Sequence, residues 1–321
     1  MTAAIRTQEL TKDYPVGFWR TRRYRALDDV SLDVARGEAF GLLGPNGAGK
    51  TTTLKLLFQL VFPTAGRAEI LGRPAGDIAV KRRIGYLPEN PSFYDYLTAE
   101  ELLSYFAGVF GYQGAERTRR VARLLDTVGI ESERRLPLRR YSKGMLQRVG
   151  LAQALVNDPE VVVLDEPMSG LDPIGRRQVS DLILGLRTEG RTVFFSSHIL
   201  TDAERLCSRV AVLARGRLMS TGRIGDTDVF GIRGWELVVA NVDPVRLDRF
   251  RTEGVSVRPI ADDRVAIDLG LETRPEQIAS ELVAAGASLL AMNPLRDTLE
   301  DYFFKTVGRA NTDDTADRFD A

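Results

Sequence analysis

Cysteine occurs once in this 321-residue chain, and so does histidine. A single thiol excludes an internal disulfide and leaves no cysteine set for a zinc-binding insertion. Cys207, in an apolar helical pattern with Leu206 and Val210, reads as a buried inert thiol. Neither sign of charge is in excess. Lys plus Arg and Asp plus Glu total 44 each, so no global field draws nucleic acid or an acidic membrane face, and any such contact has to be local. Long apolar runs are missing as well: the longest uncharged stretches, 102–115 and 282–295, are broken by Ser, Gly, Gln, Asn or Pro and fall short of the about 18 apolar residues of a membrane span. The first residues, Met-Thr-Ala-Ala-Ile-Arg, lack the apolar region of a secretory leader, and no heptad pattern is sustained. The expectation is a soluble, cytoplasmic, globular chain. Hydrophobic content of 44% is ample for buried cores, and the length suggests roughly two domains.

Residues 44–52 read Gly-Pro-Asn-Gly-Ala-Gly-Lys-Thr-Thr, an instance of GxxxxGK(S/T) after the apolar run 39–43 and before the helix-like 54–60. This is a P-loop, which implies a nucleoside-triphosphate site. Gly44, Gly47 and Gly49, with Pro45, Asn46 and Ala48 between them, let the backbone curl its N–H groups around phosphates, and the following helix adds the positive end of its dipole. Lys50 supplies a cation for the β and γ phosphates, Thr51 a hydroxyl for Mg²⁺ and Thr52 a donor to the α phosphate.

Around this motif, segments 5–10, 26–34 and 66–71 alternate apolar and polar residues like half-buried strands, which fits an antiparallel layer beside the nucleotide. Between 87 and 142 the period turns helical, over 99–109 and 117–128, an insertion within an α/β core. From 143 onward helices alternate with the apolar strands 161–164, 193–196 and 210–213, the pattern of a parallel sheet covered on both faces. The pattern restarts after Gly- and Asp-rich 222–228, with strands at 235–239, 265–269 and 288–292 and a helix at 275–285: a small second α/β domain. Residues 311–321 carry four aspartates and little apolar content, so disorder is expected there.

The strand Val161-Val162-Val163-Leu164 ends in Asp165 and Glu166. Asp165 is placed to hold Mg²⁺, often through water, and Glu166 to polarise the attacking water. Upstream, Tyr141-Ser142-Lys143-Gly144-Met145 opens another helix whose first N–H groups suit a phosphate. The order of P-loop, this segment and acidic strand resembles an ATP-binding cassette (ABC) ATPase, very specifically over about 5–224. The family signature is Leu-Ser-Gly-Gly-Gln; here Tyr141, Lys143 and Met145 replace Leu, the first Gly and Gln, while Ser142 and Gly144 are kept.

The resemblance implies an α/β P-loop NTPase cassette over 1–225, with a RecA-like core, an antiparallel β subdomain and a helical subdomain at about 90–155. A small C-terminal α/β domain at 226–308 and an acidic tail at 309–321 follow. It also implies that the signature of one cassette, Ser142, Lys143 and Gly144, closes over ATP held by the P-loop of another, a homodimer being the simplest pair. Lys143 then brings a further cation near the γ phosphate, or is a solvated first-turn side chain. Asp172, in a Ser169-Gly170-Leu171-Asp172-Pro173 turn resembling the family's D-loop, is expected to contact the opposite subunit, or simply to suit the turn before a helix. The lone His198 falls where the family's histidine reaches the γ phosphate and orients the water, which makes Lys50, Glu166 and His198 the catalytic set. Glu89 occupies the glutamine position of the Q-loop and is a metal and coupling candidate, since a carboxylate ligates Mg²⁺ but donates no hydrogen bond. Tyr14 resembles the adenine-stacking aromatic, with Tyr24 as runner-up because 15–24 looks inserted. The basic, aromatic piece 18–23 within it reads as an exposed hairpin tip, or a contact for lipid headgroups or a partner.

In transporters of this family the helical insertion and Q-loop dock on a separate membrane subunit. The segment 88–94, the P-loop and the ending 295–303 look like ATPase subunits of drug, antibiotic and polysaccharide exporters. The implied chain is an ATP- and Mg²⁺-dependent ATPase on the inner face of the cell membrane, touching the membrane through its permease and no nucleic acid. A soluble cassette ATPase acting on nucleic acid or ribosomes is the alternative, against which stand one cassette, one cysteine and zero net charge. A regulatory module that never hydrolyses is disfavoured by Glu166 and His198. For the C-terminal domain two readings stay open, regulation of closure and a stabilising appendage.

Overall fold

The computed structural model describes residues 3–16, 22–224, 232–252, 255–296 and 300. The expectations for 17–21, for the ending beyond 296 apart from Glu300 and for the acidic tail lie outside these residues. Contacts divide the chain into two units, the first closing at Ile224 and the second beginning beyond it.

The first unit opens with β1 (Ala3–Val16), β2 (Arg22–Ala35), β3 (Ala39–Leu43), α1 (Lys50–Leu57), β4 (Ala65–Ile70), β5 (Arg73–Pro74), α2 (Ile78–Lys81) and β6 (Ile84–Leu87). Three helices follow, α3 (Ala99–Val109), α4 (Gly114–Thr127) and α5 (Lys143–Ala154). The unit then alternates β7 (Val161–Asp165), α6 (Pro173–Thr188), β8 (Thr192–Ser197), α7 (Leu200–Leu206), β9 (Arg209–Ala214) and β10 (Arg217–Arg223).

Two sheets form the body of this unit. The larger has the order β10-β9-β3-β8-β7-β6, parallel except for the β9–β10 edge pair. Every residue of β3, β7 and β8 is buried, as continuous Val, Leu and Phe runs require when helices cover both faces. Phe40 and Phe194 stack inside it at 5.6 Å between ring centroids. Register then fixes the site. Leu43 lies opposite Ser197, and Asp165 opposite Ser196, so the carboxyl ends of β3, β8 and β7 finish side by side, where open α/β sheets bind ligands.

The smaller, antiparallel sheet has the order β2-β1-β4-β5. Its first two strands are longer than the apolar alternation indicates: Tyr14 pairs with Tyr24 and Val16 with Arg22, so 15–16 and 22–24 extend a hairpin instead of forming a loop insertion. Tyr14 is therefore a strand residue, near the end of β1. The helical stretch starts from a strong signal. Thr98 accepts from the Glu101 N–H at 3.2 Å while Glu101 accepts from the Thr98 N–H at 2.9 Å, a reciprocal cap that satisfies two otherwise orphan donors. No described helix is long and apolar enough to cross a membrane.

The second unit runs β11 (Ile232–Ala240), α8 (Pro244–Thr252), β12 (Ser256–Ala261), β13 (Arg264–Gly270), α9 (Pro275–Ala284) and β14 (Ser288–Arg296). Its antiparallel sheet has the order β12-β13-β11-β14, which with the βαββαβ succession is the ferredoxin-like arrangement. Leu237, Val239, Ile267 and Leu269 pack with Ala279 and Leu282 of α9 as its core. The elements α8 and β12 escape the sequence reading because Arg, Asp and Pro interrupt their apolar period.

Candidate active site

The P-loop is shaped by two glycines with no room for a side chain. A Cβ on Gly44 would collide with the Leu213 carbonyl, and one on Gly49 would stand 2.6 Å from the Ala26 carbonyl; Gly49 also has φ +107°, a region that side chains rarely adopt. Gly49 precedes α1, so the helix begins at Lys50 itself, four residues before the apolar pattern indicates. Unlike α3, α5 and α6, this helix has no side-chain cap, which leaves its first N–H groups to an anion.

Lys50 is only 6% exposed. Its Nζ donates to the carbonyls of Gly44 at 2.8 Å and Pro45 at 3.2 Å, and lies 3.1 Å from Glu166 Oε1. Thr51 Oγ1 donates to Asp165 Oδ1 at 3.2 Å. Asp165, at the end of β7, is buried beneath this contact, and burial pushes its carboxyl above the ordinary value against the hydrogen bonds of Ser196 and Thr51.

Glu166 follows with φ +47°, left-handed backbone that is costly for a residue with a side chain and is held only where its surroundings dictate it. Here the surroundings are Lys50 on one oxygen and His198 on the other. His198 Nδ1 is 2.8 Å from Glu166 Oε2. An ionised carboxylate only accepts, so Nδ1 carries the proton and the ring orientation is fixed. Ser196, which the sequence reading passes over, ties the two acids together: its Oγ donates to Asp165 Oδ1 at 2.6 Å and accepts from the Glu166 N–H at 3.0 Å. No spacing rule marks it, because a serine in an apolar strand is not distinctive until register sets it opposite Asp165.

These groups open on a cleft of about 590 Å³, lined by Asn46, Gly47, Ala48, Gly49, Lys50, Thr51 and Thr52 on the P-loop side and by Glu89, Glu166, Ser169 and His198 across from it. That volume suits a nucleotide. Tyr14 and Tyr24, paired across β1 and β2, both line the same cleft. Gly44, Pro45 and Asp165 are not among the lining residues but bond ones that are, Lys50 and Thr51.

Ser142, Lys143, Gly144 and Asp172 are not among the residues that line it. The Ser142 hydroxyl caps α5, accepting from the Met145 N–H at 3.2 Å. Asp172 likewise caps α6, accepting from the Gly175 N–H at 2.7 Å, so within one chain it acts as the turn residue that its composition suggests. Lys143 lies across Gly170, where an added Cβ would collide with its Nζ.

A P-loop after β3, an acidic pair at the end of β7 and a histidine after β8, the strand between them, define a nucleoside-triphosphate hydrolase of the parallel-sheet class. The ABC transporter family model matches residues 27–169. An ABC transporter ATP-binding protein of unassigned function from Synechocystis, sll0415, is 44% identical over 94% of this chain and 84% of its own length. The fluoroquinolones export ATP-binding protein Rv2688c of Mycobacterium tuberculosis is 40% identical over 68% of this chain and 70% of its own. Among solved structures, the cassette MJ0796, a dimer in a post-hydrolysis state with ADP and phosphate, aligns with a TM-score of 0.62 and 27% identity over 69% of this chain and 99% of its own. The chain belongs to the ABC transporter family, as an ATP-binding subunit that hydrolyses ATP.

Proposed function

We propose that the chain drives an export system: two copies close head to tail around ATP, and a separate membrane subunit takes up the motion. The observation that carries this reading is the one-sidedness of the cleft, walled by the P-loop, Glu166 and His198 while Ser142, Lys143 and Gly144 do not line it. A lid then comes from another copy, for which the Ser142 end of α5 is a helix N-terminus suited to phosphate. The dimeric MJ0796 structure supports the pairing, and the export activity named for Rv2688c supports the direction.

Within this reading the P-loop N–H groups and Lys50 cradle the phosphates, and Tyr14 and Tyr24 offer their faces to the base. Glu166 takes the proton of the attacking water, while His198, held through Nδ1, donates to the γ phosphate from Nε2 when that nitrogen carries a proton too, as in the imidazolium form. Thr51 and Asp165 fit Mg²⁺, being a hydroxyl and a carboxylate, hard oxygen donors 3.2 Å apart, with Glu89 on the same cleft. Among the described residues no group of three or more His, Cys, Asp or Glu is placed to hold a metal ion. When bound, the ion offsets charge on the β and γ phosphates.

A second groove, about 360 Å³, is lined by Phe93, Tyr94, Tyr96, Tyr105 and Phe106 of the helical region. Tyr94, Tyr96 and Tyr105 are 67%, 63% and 64% exposed, and an open aromatic patch of this kind receives a partner, here the membrane subunit's cytoplasmic segment. Purification from detergent-solubilised membranes tests the assignment. The chain is expected to hydrolyse ATP and to co-purify with an integral membrane protein; active enzyme recovered only with RNA or ribosomes contradicts it.

A further inference from the structure

Three carboxylates are buried among the described residues: Asp165, Glu166 and Asp202. The mechanism above uses the first two and leaves Asp202 without a task. Asp202 stands in the first turn of α7, four residues after His198, at 9% exposure. Its Oδ2 is buried and has no hydrogen-bond partner. A favourable interaction with the helix dipole accounts for an acid in a first turn, but not for burying it with an oxygen unsatisfied, which is among the costlier arrangements in a protein.

The charged groups facing Asp202 come from three elements. They are Arg176 on α6, Glu166 beyond β7, and His198 and Arg205 beside and on α7. Burial raises the Asp202 carboxyl above its ordinary value, with Arg176 the largest opposing influence. Arg176 belongs to the helix that Asp172 caps, immediately after the Ser169–Pro173 turn, and its guanidinium forms no hydrogen bond or ion pair among the described residues. Two opposite charges thus face each other across α6 and α7 without a direct bond. A triphosphate beside Glu166 and His198 adds negative charge, which makes a lone buried carboxylate costlier and an arginine partner more favourable.

We propose that Asp202 is a positioning residue for ATP hydrolysis: as the buried acceptor for Arg176, it fixes the segment carrying His198 against the helix that follows the Ser169–Pro173 turn. The proposal rests on the role assigned to His198. It names a link between a turn that lines the nucleotide cleft through Ser169 and the histidine that lines the same cleft.

Steady-state ATPase assays on the full chain test it, comparing wild type, Asp202→Asn, Asp202→Glu, Arg176→Gln, the Asp202→Asn/Arg176→Gln double variant and His198→Ala. Asp202→Asn and Arg176→Gln are each expected to lower kcat about tenfold with KM for ATP within about twofold, and the double variant to be no slower than either, as for groups acting as one unit. Asp202→Glu is expected to recover part of the rate, and Asp202→Asn to melt no lower than wild type. Wild-type kcat in Arg176→Gln, or losses that multiply in the double variant, overturns the proposal. Arg176→Gln is decisive even where Asp202→Asn folds poorly. Full turnover in His198→Ala defeats the catalytic reading itself, a result separate from normal kcat in the Asp202 and Arg176 variants.

Discussion

Lys50 Nζ, at the start of α1, and Glu166 Oε1, just beyond β7, stand 3.1 Å apart with both side chains almost wholly buried. The pair holds the strained Glu166 backbone in place and keeps both charges compensated. A triphosphate competes for the same ammonium. In the proposed mechanism, binding is expected to loosen the tie on Glu166 as it positions the γ phosphate, leaving the carboxylate to accept from water while His198 Nδ1 holds its other oxygen.

Removing the ring of His198 leaves the P-loop and Lys50 intact. His198→Ala is expected to bind ATP within about twofold of wild type and to lose turnover by about a hundredfold or more, the range of a misplaced proton-transfer group. Parallel binding and hydrolysis assays decide it; near-normal hydrolysis removes His198 from the mechanism.

Ser196 holds Asp165 and the Glu166 N–H together from inside the sheet. Ser196→Ala strips a hydrogen bond from a buried carboxylate and leaves an amide without its acceptor, an expected loss of about 1–3 kcal/mol in stability. Turnover is expected to fall as well, because both acids lose their register. A variant with unchanged Tm and unchanged kcat contradicts this account of the acidic pair.

Glu89 lies on the cleft wall but is exposed. An amide keeps one oxygen ligand at that place, so Glu89→Gln is expected to change kcat by no more than about threefold. Complete loss of hydrolysis shows that the carboxylate carries a step of its own.

The Asp202 carboxyl is raised by burial above its ordinary 3.8, so the folded chain holds that proton more tightly than the unfolded chain. Its contribution to stability is complete below pH 3.8 and is lost as pH rises through the raised value. Near neutrality the ionised acid is a cost. Asp202→Asn is thus expected to melt at the same temperature as wild type or a few degrees higher, since about 1 kcal/mol moves Tm by roughly 2–4 °C at this size. The advantage should narrow on acidification. Melting curves across pH check the sign, and a variant less stable at neutral pH than at acid pH, relative to wild type, contradicts it.

Much of the site is legible in the sequence because its parts are short motifs tied to strand ends. Gly44 to Thr52, Asp165, Glu166 and His198 need only three strands finishing at one level to converge, and apolar runs already indicate a parallel sheet. What escapes depends on pairing or backbone angle. Tyr24 joins Tyr14 only once the hairpin register is known, and Ser196 matters only because Asp165 is its neighbour across the ladder. The φ of Glu166 and the orphaned oxygen of Asp202 leave no mark on composition. In the second unit α8 and β12 break their own periodicity with Arg, Asp and Pro, so the ferredoxin-like order emerges only from strand pairing.

The central claim is that ATP is enclosed by two copies of this chain. Light scattering of Glu166→Gln with and without ATP measures it directly, because this substitution removes the carboxylate proposed as general base while leaving the P-loop lysine and the Ser142 helix in place. The account predicts a monomer that becomes a stable dimer on adding ATP and stays so. A variant that binds ATP tightly yet remains a monomer at every nucleotide and protein concentration contradicts it.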